Sequence, residues 1–134
     1  MRLLLLSFVS VIILAACNQT ISKDEMISDM TAPEPPKYFT LYAVSEGENF
    51  TDYYDVDAIN RSLSEESREY LYDGGIIWTW DRLADNTTWD YTGNFGIESF
   101  PTFLVFDTDE LILKTTDINE VDTFLTTNKP DWRE

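Results

Sequence analysis

Four short runs rich in aromatic and branched aliphatic residues set the terms on which this chain can fold: Tyr38–Val44, Ile76–Trp80, Phe103–Phe106 and Leu111–Lys114. Each has the length of a strand and is bounded by turn-forming or polar residues, with no long helical repeat running through it. Ile76-Ile77-Trp78-Thr79-Trp80 is apolar on both faces, which predicts a central strand covered on both sides. Asp107-Thr108-Asp109-Glu110 separates the last two runs as a hairpin turn. Between the strands, Asp57–Tyr72 reads as one helix in which Ile59, Leu63, Tyr70 and Leu71 share a face and Gly74-Gly75 ends it. Asn86-Thr87-Thr88 caps a shorter helix through Tyr91, closed by Gly93. Asp117 or Asn119 caps a last helix that buries Val121, Phe124 and Leu125. The predicted order is β-α-β-α-β-β-α: an α/β domain with a mixed central sheet flanked by helices, over residues 38–128.

The ends of the chain read differently. Arg2, the apolar run Leu3–Leu14 and the small residues Ala15-Ala16 are the parts of a secretory signal peptide over residues 1–16. The run is shorter than the roughly 20 apolar residues that span a bilayer. Leu14-Ala15-Ala16-Cys17 resembles a bacterial lipobox. That resemblance implies cleavage before Cys17, which becomes the mature N-terminus and carries a diacylglycerol, with its two acyl chains, on its sulfur. Two chains hold a protein on a membrane where one would be marginal. Residues 17–37 are then the lipidated N-terminus and a flexible tether. Their prolines, at 33, 35 and 36, favour an extended chain over a packed element. Residues 129–134 form a C-terminal tail.

Charge and residue inventory exclude several functions. With 25 acidic and 9 basic residues the formal charge is −16, and removal of Arg2 makes it one unit more negative. Such a chain cannot neutralise phosphates, so no nucleic acid is expected as a partner. An anionic membrane surface repels it too, leaving attachment to the lipid. Cys17 is the only cysteine and histidine is absent. Disulfides within the chain, Cys/His zinc sites and Ser-His-Asp or Cys-His catalysis are therefore excluded. Asp52, Asp55 and Asp57, and separately Asp107, Asp109 and Glu110, lack the spacing of a calcium loop. No metal and no cofactor are expected.

Phe95-Gly96-Ile97-Glu98-Ser99-Phe100-Pro101-Thr102-Phe103-Leu104-Val105-Phe106 resembles the second half of thioredoxin. There an aromatic-Gly-Ile segment leads to a cis-proline, Pro-Thr, and a hydrophobic strand. The resemblance extends over about Tyr38 to Thr127 and implies a thioredoxin-like fold. Pro101 fits the entry of a strand, since it has no N–H to give a ladder. The chain departs from the family where the family's Cys-x-x-Cys lies: Glu46-Gly47-Glu48-Asn49 stands there. Thiol–disulfide exchange needs a thiolate and a resolving thiol, so the resemblance carries no redox activity with it.

What the resemblance does imply is a groove. In the family, the backbone before the cis-proline pairs with an extended substrate. Here that role falls to Phe100, flanked by Ser99, Pro101 and Thr102, with Glu46, Gly47, Glu48, Asn49 and Phe50 facing them. Strand addition of this kind uses main-chain hydrogen bonds and needs no cysteine. The competing reading is that Phe100 packs into the core and fills the groove. A second set of candidates is aromatic. Tyr53, Tyr54 and Trp89 could contact a glycan if exposed, whereas Trp78 and Trp80 share a strand face and read as core.

The expectation is thus a lipid-anchored protein on the extracytoplasmic face of a cell membrane, whose redox-inactive domain binds or scaffolds an envelope protein or peptide without being an enzyme. The alternative is a peptidoglycan- or glycan-associated lipoprotein using exposed aromatics. A hydrolase with an unrecognised carboxylate site ranks third.

Overall fold

The computed structural model describes residues 21–32, 38–47, 52–72, 75–83 and 89–128, with the backbone alone for residues 52–56. The elements are α1 (Lys23–Met30), β1 (Phe39–Ser45), α2 (Asp52–Ser62), α3 (Glu65–Tyr72), β2 (Ile76–Arg82), α4 (Tyr91–Phe95), β3 (Thr102–Phe106), β4 (Leu111–Thr115) and α5 (Ile118–Thr127). The sheet order is β2-β1-β3-β4. β1 runs parallel to β2 and antiparallel to β3, and β3 runs antiparallel to β4. The result is a thioredoxin-like α/β fold with a mixed sheet between helices.

The alternation of β1 and β3 divides the core. Tyr42, Val44, Leu104 and Phe106 join Met26, Met30, Tyr91, Phe95 and Ile97 on one face. Leu41, Ala43, Phe103 and Val105 join Tyr70, Ile76, Val121 and Leu125 on the other. Successive strand residues point to opposite faces, so two short strands feed both clusters. All five β3 residues are buried.

Four readings need correction. Residues 23–30, placed within the tether, form a helix packed on the core. Ser22 Oγ accepts from the Glu25 N–H at 3.3 Å, and the Glu25 carboxylate accepts from the Ser22 N–H at 3.0 Å. This capping box satisfies orphan donors at the helix start, and Met26 and Met30, four residues apart, are fully buried. Ala32 N–H then bonds the Asp107 carbonyl at 2.8 Å, tying the segment to the β3–β4 turn. Residues 17–20 and 33–37 of the expected tether lie outside the described residues.

The single helix over 57–72 is two. Ser64 divides them because it has a better partner elsewhere: its N–H and hydroxyl both donate to Asp122 Oδ1 of α5, at 2.8 and 2.7 Å. Its Oγ also accepts from the Ser67 N–H at 3.2 Å, which starts α3.

Among the described strands β2 stands at an edge of the sheet, not at its centre. Apolar residues on both faces report helices above and below a strand, which an edge can have as well as a centre. Trp78 and Trp80 lie 5.5 Å apart and pack with Ile59 and Leu71 on the α2–α3 side.

The fourth correction concerns α4, which begins at Tyr91 instead of ending there. Asp90 caps it by accepting from the Gly93 N–H at 2.8 Å, and Gly96 ends it in the left-handed region, at φ 59°. The Asp90 carboxylate sits where a Gly93 side chain would be, so glycine here serves close approach within the helix. The expected cap at residues 86–88 lies outside the described residues.

Candidate functional site

The resemblance pointed to the C-terminal end of β1 and the loop before β3, and the sheet brings these together. Val44 pairs with Thr102, so Glu46 and Gly47 emerge from β1 beside the 99–102 loop. Gly47 has φ 120°, a conformation that L side chains rarely adopt and that glycine permits as the chain leaves the strand. Glu46 is exposed. Glu48, Asn49 and Phe50 lie outside the described residues.

The Phe100–Pro101 peptide bond is cis. Ser99 is exposed, and its carbonyl accepts from the buried Thr102 hydroxyl, which closes the loop on itself. Phe100 combines the two roles that the sequence set against each other. Its ring is half-buried and packs against the cluster that holds Tyr42, Phe95 and Phe106. Among the described residues, no loop or turn backbone bond engages the Phe100 N–H or carbonyl. The side chain is an anchor, and among the described residues the main chain has no such partner. Such an arrangement can pair with an extended chain, because strand addition reads backbone donors and acceptors.

Behind the loop, the aromatic face is held by a buried phenol. Tyr91 donates to Asp81 Oδ2 at 2.6 Å. Burial, then the hydrogen bond to Asp81 and its charge, push the Tyr91 phenol far above its usual range. Burial chiefly, followed by the charges of Asp81 and Asp29, also raises Tyr42. Both remain neutral at physiological pH. Lys114 closes the loop from β4: its Nζ donates to the carbonyls of Phe95 at 2.9 Å and Gly96 at 3.2 Å. Those carbonyls lie at the end of α4, where a cation is favoured by the helix dipole and by unpaired acceptors.

The aromatic candidates are rearranged. Trp89, expected at the surface, is half-buried, with its ring 6.0 Å from Tyr42 and 5.8 Å from Tyr91. Tyr53 and Tyr54 lie on α2, and their side chains are outside the described residues, as is Cys17. Trp78 and Trp80, expected in the core, are half-buried and line a hollow of about 270 Å³ with Asn60, Leu71 and Tyr72. Tyr72, 72% exposed, was not foreseen. It follows Tyr70 and Leu71 at the end of α3, and only the register of that helix reveals which of the three faces outward. Lys114 was not foreseen either, since nothing local links a strand lysine to a helix end eighteen residues earlier.

Among the described residues, no group of three or more acidic side chains is gathered as a metal site. No described helix is long and apolar enough to cross a membrane.

No family model matches the chain, and no curated protein does. Solved structures do. One is a designed protein, at 12% identity and a TM-score of 0.52, covering 81% of this chain and 88% of that one. Oxidised thioredoxin from Plasmodium falciparum matches at 11% identity and a TM-score of 0.49, covering 80% and 89%. The short form of thioredoxin f from spinach chloroplast matches at 15% and 0.48, covering 82% and 91%. At 12% identity the likeness to the designed protein is one of fold alone.

Proposed function

We propose that this chain is a lipid-anchored protein of the bacterial cell envelope whose redox-inactive domain binds an extended peptide segment at the loop before β3. The observation that carries the reading is Phe100, with its half-buried ring packed against the core and its main chain free of loop or turn backbone bonds to described residues. The approach of Glu46 and Gly47 to Ser99–Thr102 supports it by walling the same end of the sheet. The lipobox at Leu14–Cys17 supports the anchor, and the lack of a second cysteine removes redox chemistry.

The test is a photo-crosslinking residue placed at exposed Ser99 in the full chain within native membranes, with a second placed at Tyr72 as a control. Adducts specific to position 99, mapped to an extended segment of a partner, are the expected result. Adducts no stronger than those from position 72 would overturn peptide binding at this loop. Anchoring is read separately: Cys17→Ser should abolish incorporation of labelled palmitate and release the protein from membranes.

A glycan-binding reading is favoured by a different observation, the hollow of Tyr72, Trp78 and Trp80. Tryptophan fluorescence that responds to chitotriose in the wild type, and fails to in Tyr72→Ala, would favour it over the peptide reading.

A further inference from the structure

Beside the loop before β3, a cavity of about 350 Å³ opens toward the end of β4. Its walls include Glu98, Ser99, Thr102, Lys114 and Thr116. Lys114 is the basic residue in that wall, and it is held in position by the carbonyls of Phe95 and Gly96. An ammonium carries three protons; two are used, and one remains. Among the described residues no carboxylate pairs with it, although the chain has 25 acidic residues. The hydroxyls of Ser99 and Thr116 are exposed on the same wall and can rotate to donate. A fixed cation flanked by rotatable donors is a receptor for an anionic oxygen pair. Glu98, also in the wall, opposes a second negative charge, so the site suits one carboxylate better than a phosphate dianion.

We infer that this cavity takes a carboxylate of the bound peptide; the inference rests on peptide binding at the Phe100 loop and states which peptides that loop selects. Two sources share the chemistry, a C-terminal carboxylate and an Asp or Glu side chain. In a chain of charge −16, an anionic ligand needs a local cation to overcome the overall repulsion, and Lys114 provides one.

The experiment uses the full chain in detergent, isotope-labelled, and follows the amide resonances of Ser99, Phe100 and Thr116. The first probes are N-acetylglycine and N-acetylglycinamide, which differ only in the carboxylate. N-acetylglycine should bind saturably, and the amide at least about tenfold more weakly, in line with a charged hydrogen bond. Lys114→Gln keeps a donor for the two carbonyls and removes the charge; it should weaken N-acetylglycine about tenfold, while Lys114→Arg retains binding. Equal binding of the two probes, or an unchanged affinity in Lys114→Gln, would overturn the inference.

Pentapeptides with free or amidated ends, each with and without one Glu, then separate the sources. Preference for the free end assigns a C-terminal carboxylate, preference for Glu assigns a side chain, and indifference to both overturns the site. The two readings can also fail apart. If N-acetylglycine binds through Lys114 but no pentapeptide moves Phe100, the peptide groove falls and the carboxylate site stands. If neutral, amidated pentapeptides move Phe100 as strongly as charged ones, the groove stands and the carboxylate site falls.

Discussion

One face of the sheet is covered by two short helices, α1 of 8 residues and α4 of 5, and the other by α2 of 11, α3 of 8 and α5 of 10. The short helices have little stability of their own, since nucleation is costly and few bonds repay it. They are held by large side chains and individual polar contacts: Met26, Met30, Tyr91 and Phe95 in the core, Tyr91 on Asp81, and the Asn94 amide donating to Met26 Sδ at 2.9 Å. The opposite face relies on aliphatic packing by α5 and on the Ser64–Asp122 clamp that joins α3 to it. The Phe100 ring packs on the face with the short helices. The candidate binding loop therefore rests on the side of the molecule whose helices depend most on single contacts, where local opening is expected to be easiest.

Breaking that dependence should have the largest effect at Tyr91. Tyr91→Ala removes a fully buried ring and a hydrogen bond and should cost about 3–5 kcal/mol in urea unfolding. Tyr91→Phe keeps the packing and should cost only about 1 kcal/mol, the size of one hydrogen bond. Equal losses for the two variants would mean that the hydrogen bond, and not the ring, holds this face.

A matched pair sharpens the comparison between faces. Met30→Ala and Leu125→Ala each empty a fully buried site, one under α1 and one under α5, and each should cost about 2–4 kcal/mol. Hydrogen exchange should separate them: in Met30→Ala, residues 23–30 exchange quickly while α5 stays protected, whereas Leu125→Ala weakens protection throughout the sheet. If Met30→Ala left stability unchanged, α1 would be an accessory and not part of the domain.

The smallest effect belongs to the polar clamp. Although burial pushes the Asp122 carboxyl up, hydrogen bonds from Ser67 and from the Ser64 backbone and hydroxyl outweigh it and hold it below the usual carboxylate range. A depressed folded-state value stabilises the protein above the unfolded value and loses that contribution as pH falls through the folded one. Asp122→Asn should thus cost about 1 kcal/mol at neutral pH, a modest figure because the site is only partly buried. The gap in melting temperature between the two proteins should shrink below about pH 4, the unfolded aspartate value. A gap independent of pH would show that the clamp works by shape alone.

The elements most legible in the sequence were those whose partners are local. Asp117, one of the two caps expected for α5, accepts from the Asn119 N–H at 2.9 Å. Asp107 closes the β3–β4 turn by accepting from the Asp109 and Glu110 N–H groups, both at 2.8 Å. The strands β1, β3 and β4 declared themselves through aromatic and branched residues. Less legible were the elements whose reason lies elsewhere in the chain. Ser64 breaks a helix because Asp122 is waiting on α5. Met26 and Met30 look like chance apolar residues until Tyr42 and Phe106 supply a surface for them. The candidate loop was readable from Phe95–Phe106, whereas the split role of Phe100, its ring packed on the core and its backbone without a loop or turn bond to the described residues, was not.

Composition and motif alone determine the inventory this protein works with: one cysteine, no histidine, strong acidity, a Leu14–Cys17 segment that resembles a lipobox and a proline at the mouth of a strand. These are properties of residue types, and no folding can alter them. The tertiary structure decided what the residues do together: which strand stands at the edge, which aromatics face outward, that a polar N-terminal segment packs as a helix, and that Lys114 crosses to the end of α4. Those outcomes depend on burial and on bonds between distant positions, and such energies exist only once the chain has closed upon itself.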